Sequence, residues 1–383
     1  MTRARCCFGG AGTLWRGWYA LAGMMLRTGW SRREGVWGLL ITAVACGKVS
    51  TEPMQDTMPA ATSVAGSAGS APLPPVAPEA GASASPVPVQ SGGGAAAVPV
   101  VAGLLTRLPA AERVVAVGDL HGDFLATQDV LRLAGALEDG HWAGEKLVLV
   151  QTGDQLDRGG GEKEILDLFE LLEDEAKAAG GRVIALNGNH ELMNAVGDYR
   201  YVTSDALHDF DGLAPDSPQK ESVAAPYQER AAAFLPGGSM ALRLAERPVV
   251  AQVGHTIFVH GGLEPDHVRY GLDRLNVEVK RYLRGQSDPP EIMSDAGGPL
   301  WTRRYGSGQL DGATCALLQE TLAAVGATRL VIGHTIQDDG ISSACEDQVF
   351  RIDVGMSAYY GRDEVQALEI RGDRVRILSA KKR

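Results

Sequence analysis

Carboxylates, imidazoles, an amide and an arginine recur in five short segments, each directly after an apolar run. They are Gly118-Asp119-Leu120-His121-Gly122, Gly153-Asp154-Gln155-Leu156-Asp157-Arg158-Gly159, Gly188-Asn189-His190-Glu191, His260-Gly261-Gly262 and Gly333-His334. Asp119 and His121 alternate past a strand, so both can point to one side. Asp154 offers two oxygens and can bridge two cations. Asn189, His260 and His334 can complete the second. Mixed oxygen and nitrogen donors suit Mn²⁺, with Fe or Zn²⁺ as alternatives, better than Ca²⁺ or an all-thiolate centre. Two ions about 3.5–4 Å apart can hold an attacking hydroxide and polarise a phosphoryl group.

His190 adjoins a ligand candidate without being needed as one. It fits a general acid for a leaving oxygen, with Asp157 fixing its tautomer. Arg158 can grip phosphoryl oxygens in bidentate fashion. A second arginine is expected from across the pocket. Arg303, ending Pro299-Leu300-Trp301-Thr302-Arg303, is the first choice and Arg304 the competitor. Glu191 suits backbone or an arginine, and Asp123 suits a helix cap better than a metal. His141, His208, His255 and His267 lack ligand spacing and read as surface or structural. Each segment alone reads as a turn. In this order the five read as one dinuclear site for phosphate-ester hydrolysis.

Elements must bring these segments together. Arg113 to Val117, Lys146 to Gln151 and Arg182 to Leu186 read as strands. Helical patterns intervene at Phe124 to Leu137 and at Glu162 to Ala179, whose Ile165, Leu168, Phe169, Leu172 and Ala176 share one face. This βαβαβ order implies an α/β fold with a largely parallel core sheet. Further strands are expected at Val249 to Val253, Thr256 to Val259 and Arg329 to Ile332, with a closing hairpin, Glu364 to Ile370 and Arg374 to Leu378. Ligands of open α/β sheets sit beyond the carboxyl ends of strands, where all five segments lie. Asp205 to Leu244 is an insert, read as packing helices that also shape the entrance. Tyr199 and Tyr201 suit either the core or stacking on an aromatic substrate.

The chain has 383 residues and a net charge of −11, without a basic run, which disfavours nucleic-acid partners. Residues 1–46 read as a signal peptide. A basic stretch at Arg27, Arg32 and Arg33 precedes a short apolar segment, Val36 to Ala45, too short to span a bilayer permanently. Ala43-Val44-Ala45-Cys46 resembles a bacterial lipobox, which would lipidate Cys46. Ordinary cleavage nearby, or a start at Met24 or Met25, is the plainer account. Ser31-Arg32-Arg33 also hints at twin-arginine export. Residues 47–103 form an Ala/Pro/Gly/Ser linker without aromatics, unable to bury enough surface to order itself. Residues 104–383 are the catalytic domain. The expected location is the periplasm or cell envelope, with membrane contact only through the lipid. There Cys315 and Cys345 could pair or remain separate buried thiols.

The motif set resembles the phosphoprotein phosphatase family of metallophosphoesterases, and most closely its Shewanella-like branch. Further support comes from Tyr199-Arg200-Tyr201-Val202-Thr203, Phe234-Leu235-Pro236-Gly237-Gly238 and Val259-His260-Gly261-Gly262-Leu263. The resemblance implies a central β-sandwich flanked by helices, which refines the open-sheet reading. It implies Asp119, His121 and Asp154 on one metal, and Asp154, Asn189, His260 and His334 on the other. It also implies His190 as acid, Asp157 as its partner, and Arg158 and Arg303 on phosphate. Met356-Ser357-Ala358-Tyr359-Tyr360 departs from the Ser-Ala-Pro-Asn-Tyr loop of the eukaryotic serine/threonine enzymes. The branch includes phosphotyrosine enzymes. The expected substrate is therefore a phosphorylated protein, phosphotyrosine included. Alternatives are small phosphoesters or dinucleoside tetraphosphates. A non-enzymatic binding protein would have lost a ligand or His190, and none is missing.

Overall fold

The computed structural model describes residues 107–213 and 218–383. The signal, lipobox and linker readings, with Cys46, lie outside the described residues. The first half of the fold runs β1 (Arg107–Leu108), β2 (Val114–Val117), α1 (Phe124–Leu133), β3 (Leu137–Glu138), β4 (His141–Trp142), β5 (Val148–Gln151), α2 (Glu162–Ala179), β6 (Arg182–Ala185) and α3 (Asn189–Ala195). The insert contributes α4 (Gln228–Phe234) and α5 (Ser239–Leu244). Then come β7 (Val250–Val253), β8 (Thr256–Val259), α6 (Pro265–Tyr270), α7 (Leu272–Leu283), α8 (Gly312–Val325), β9 (Arg329–Ile332), β10 (Ser342–Ala344), β11 (Val349–Arg351), β12 (Glu364–Arg371) and β13 (Arg374–Lys381).

The expectation of one largely parallel sheet is corrected. Two mixed sheets form, ordered β13-β12-β2-β5-β6 and β1-β7-β8-β9-β11-β10. Strands β2, β5 and β6 run parallel, but β12 joins β2 antiparallel, and β7 and β8 form an antiparallel pair. The two sheets share an apolar layer, as the sandwich reading requires. Val115, Val150 and Leu368 from one sheet cluster with Ala251, Phe258, Val331 and Phe350 from the other. Neighbours along β8 and β9 point the other way: Ile257, Val259, Leu330 and Ile332 pack with Leu275 and Val279 of α7 and Leu318 and Leu322 of α8. This alternation is the period-two rule applied to sheets buried on both faces. Helices α1 and α2 send Val130, Ile165, Phe169 and Leu172 into the first cluster.

Register aligns the strand ends. Val117, Gln151 and Ala185 lie side by side at the ends of β2, β5 and β6. Val259, Ile332 and Arg351 do the same in β8, β9 and β11. Hence the segments that follow them leave each sheet at one edge.

The helix expected over Phe124 to Leu137 stops at Leu133. Gly135 takes a left-handed φ of 67°, and Leu137 instead pairs with Trp142 in a small hairpin. The closing hairpin runs three residues further than expected, to Lys381, pairing Glu364 with Lys381. Cys315 and Cys345 form a disulfide that ties α8 to the turn between β10 and β11.

Candidate metal centre

Asp119, His121, Asp154, Asn189, His190, His260 and His334 are all buried and meet where the two sets of strand ends converge. Two groups have donor atoms within 4.8 Å of one another: His121, Asp154 and His190, and Asp154, His260 and His334. Asp154 belongs to both. Its Oδ2 lies 3.2 Å from His260 Nε2 and 3.8 Å from both His121 Nε2 and His190 Nε2. Asp119 Oδ2 is 3.9 Å from His121 Nε2, and the Asp119 carboxylate accepts the His334 N–H.

Tight turns make this convergence possible. His121, Asp154, Asp157, Arg158 and His334 all have φ between 46° and 67°. Such left-handed conformations cost non-glycine residues energy and concentrate at functional sites. Glycine is required beside them: a Cβ on Gly153 would sit 2.5 Å from Gly188 N, and one on Gly188 would sit 2.2 Å from Asp154 Oδ1. Glu191 secures these turns, as expected. Its carboxylate accepts the N–H groups of Gly188, Asp154 and Gln155 at 2.7 to 2.8 Å.

Backbone carbonyls fix the imidazole tautomers. His121 Nδ1 donates to Leu156 O, His260 Nδ1 to Thr152 O, and His334 Nε2 to Trp301 O. The opposite nitrogens therefore present lone pairs to the site. His260 Nε2 lies 3.1 Å from His334 Nδ1 and 2.8 Å from Asn189 Oδ1, so three acceptors face one another in a buried space. A cation satisfies all three at once, so this donor set fits a divalent metal.

Electrostatics say the same. Burial, then Asp353 and Asp154, push Asp119 well above the usual carboxylate range. Burial, with Asp154 adding to it, also raises Asp353. Burial lowers His121 and His334, with Arg158 adding to it at His121, which favours the neutral form that a metal ligand needs. Clustered carboxylates and neutral imidazoles are relieved by positive charge.

His190 stands apart. Its Nδ1 donates to Asp157 Oδ2 at 2.5 Å. Burial alone would lower this imidazole, yet Asp154 and the bond to Asp157 raise it above its ordinary value. Arg158 donates to His121 Nε2 and to the Tyr360 hydroxyl, both at 2.6 Å. Its guanidinium lies 4.9, 5.9 and 5.7 Å from the ring centres of Tyr201, Tyr359 and Tyr360. Arg303 donates to His334 O at 2.7 Å and so reaches the centre, whereas Arg304 pairs with Glu264 with its side chain 49% exposed.

Tyr199 and Tyr201 separate. Tyr199 is buried and stacks on Tyr227 at 5.3 Å, whereas the Tyr201 ring lies 5.1 Å from His190. Asp123 caps α1 by accepting the Ala126 N–H and also accepts the Ala358 N–H. His141, His208 and His255 are exposed and His267 bonds the Glu264 N–H, away from both donor groups. Sequence reasoning missed Asp353, Tyr360, Asn194, Glu162 and Arg230. Asp353 follows a strand end like the other site carboxylates, but Val349–Arg351 is too short to read as a strand.

Residues 112–338 match the calcineurin-like phosphoesterase family. The chain belongs to that family. It is 37% identical over 312 residues to Shewanella-like protein phosphatase 2 of Arabidopsis thaliana, covering 72% of this chain and 80% of that one. It is 29% identical over 270 residues to Shewanella-like protein phosphatase 1 of Plasmodium berghei, covering 67% and 71%. The fold is similar to that of the cold-active protein-tyrosine phosphatase of a psychrophilic Shewanella species. That likeness has a TM-score of 0.60 at 22% identity and covers 73% of this chain and 83% of the other. The phosphoesterase is a hydrolase, and its His/Asp groups are suited to divalent metals.

Proposed function

We propose that this phosphoesterase is a phosphoprotein phosphatase whose substrates include phosphotyrosine. Asp119, His121 and Asp154 would hold one metal, and Asp154, Asn189, His260 and His334 the other. Mn²⁺ fits this mixture of oxygen and nitrogen donors. When bound, the ions supply positive charge to the phosphoryl oxygens and acidify the attacking water. Arg158 and Arg303 reach the centre from opposite segments and orient the phosphate. His190 could itself be counted as a ligand, since its Nε2 lies 3.8 Å from Asp154 Oδ2. The 2.5 Å bond to Asp157 favours the other role: Asp157 holds Nδ1–H and supports the imidazolium, leaving Nε2 to give a proton to the leaving oxygen.

The observation that carries the substrate reading is the aromatic wall around Arg158. Tyr201, Tyr359 and Tyr360 surround the phosphate-gripping guanidinium, and the Tyr359 side chain is exposed. Such a rim suits an aryl phosphate. The names of the Arabidopsis and Shewanella relatives agree with a protein substrate. Small phosphoesters and dinucleoside tetraphosphates, which share the chemistry, gain no feature of their own. Phosphate release from phosphotyrosine, phosphoserine and phosphothreonine peptides, beside diadenosine tetraphosphate, tests this. Preference for the phosphotyrosine peptide is expected; turnover of the dinucleotide alone would overturn it. We further propose export, with Cys46 carrying the lipid and residues 47–103 as tether, and the Cys315–Cys345 disulfide supports an oxidising location.

A further inference from the structure

We propose that Arg230, carried by α4 of the insert, is a positioning residue for the proton-donating step and acts through Asp157. The inference rests on the reading of His190 as the acid. Arg230 is 0% exposed, yet it belongs to none of the five motif segments. Its Nε donates to Asn194 Oδ1 at 2.7 Å. Nη1 donates to Glu162 Oε2 at 2.6 Å, and Nη2 to Glu162 Oε1 at 3.0 Å and Asp157 Oδ1 at 3.5 Å. Phe210 and Phe234 place their ring centres 5.2 and 4.9 Å from the guanidinium, closing it off from water.

The result is a fixed carboxylate. Asp157 Oδ2 accepts from His190. Oδ1 accepts from Asn194 Nδ2 at 3.1 Å and from Arg230. The Asp157 N–H donates to Glu162 Oε1 at 2.5 Å. Both oxygens and the backbone are thus tied, and Arg230 touches Asp157 and two of its three partners, Asn194 and Glu162. Its charge also matters. Glu162 and Asp157 are two buried carboxylates held together, and a cation between them keeps both turned inward. Without Arg230, Asp157 Oδ1 would be left with Asn194 Nδ2, which Arg230 itself orients, and the carboxylate would lose its fixed angle to the imidazole. The plainer account is an ion pair that only pins the insert to α2. Replaceable buried pairs of that kind add little net stability, and that account gives the bond to Asp157 no role.

The two accounts part on the leaving group. Phenyl phosphate needs protonation of its leaving oxygen more than p-nitrophenyl phosphate does. Both would be assayed on full-length protein for kcat and KM. The variants are Asp157→Asn, Arg230→Lys, and Arg230→Met combined with Glu162→Gln, which leaves no unpaired charge. The combined variant is expected to lose about tenfold more kcat on phenyl phosphate than on p-nitrophenyl phosphate, with KM held. Adding Asp157→Asn to it should bring no further discrimination between substrates. Arg230→Lys, which keeps the charge, should show a weaker form of the same selective loss, and serves alone if the combined variant does not fold. Equal losses on both substrates, while Asp157→Asn discriminates, would leave Arg230 a structural residue and overturn the proposal. If Asp157→Asn does not discriminate either, the reading of His190 as the acid fails first.

Discussion

At His190, geometry separates two tasks that one imidazole could perform. Nδ1 is bound to Asp157, and Nε2 lies 3.8 Å from Asp154 Oδ2, with no carbonyl partner among the described residues. His121, His260 and His334 instead have their outer nitrogens on backbone carbonyls, whereas the carboxylate partner of His190 also stabilises an imidazolium, as a proton donor requires. His190→Ala should therefore keep the metal content and lower kcat by about 10²–10⁴-fold, most with poor leaving groups. Metal analysis beside steady-state kinetics checks this, and loss of a metal in that variant would make His190 a ligand. Arg303 and Arg304 are neighbours with different surroundings. Arg303→Ala should weaken productive phosphate binding by about 10–100-fold in kcat/KM, the scale of a lost charged hydrogen bond. Arg304→Ala, which breaks an exposed pair with Glu264, should change it less than about twofold. The reverse order would exchange their roles.

Between elements, the closing hairpin shows how a polar contact pins a strand. Arg113, which precedes β2, donates to Glu369 on β12 at 2.7 Å, and Arg376 of β13 lies 2.9 Å from the same carboxylate. Burial would raise Glu369, but Arg113, Arg376 and Arg371 hold its pKa below the ordinary value. A depressed folded pKa stabilises above the unfolded value of about 4.3 and is lost as pH falls through the folded value. Glu369→Gln should thus cost about 1–2 kcal/mol near neutrality and nothing once the wild-type carboxyl is protonated. Urea melts at pH 7 and below pH 4 read this; a pH-independent difference would contradict it. Long amphipathic elements were legible in the sequence: α2 occupies Glu162–Ala179, the range its apolar spacing defines. The sheet pairing was not. Whether β12 joins β2 antiparallel depends on contacts such as Ile370 with Val114, far apart in the chain, and no local period encodes them. The clustering of the site's side chains was legible because each proposed ligand follows an apolar run and lies beside glycine. Arg230 was not, because an arginine in an alanine-rich helix reads as surface until α4 is docked and Phe210 and Phe234 enclose it.

For the whole molecule, residues 1–103 precede the phosphoesterase in the sequence, and the proposed lipid on Cys46 would hold it at a membrane. Cys46→Ser should move the full-length protein from the membrane fraction to the soluble one, and retention in the membrane would exclude the lipid anchor. The claim on which everything else depends is the paired metal centre sharing Asp154. It is tested most directly by stripping the protein of metal with a chelator. Phosphate release from a phosphotyrosine peptide is then followed as Mn²⁺ is added back. The account predicts no release from the stripped protein and recovery that saturates at two equivalents per chain. Saturation at one equivalent, or activity that survives stripping, would contradict it.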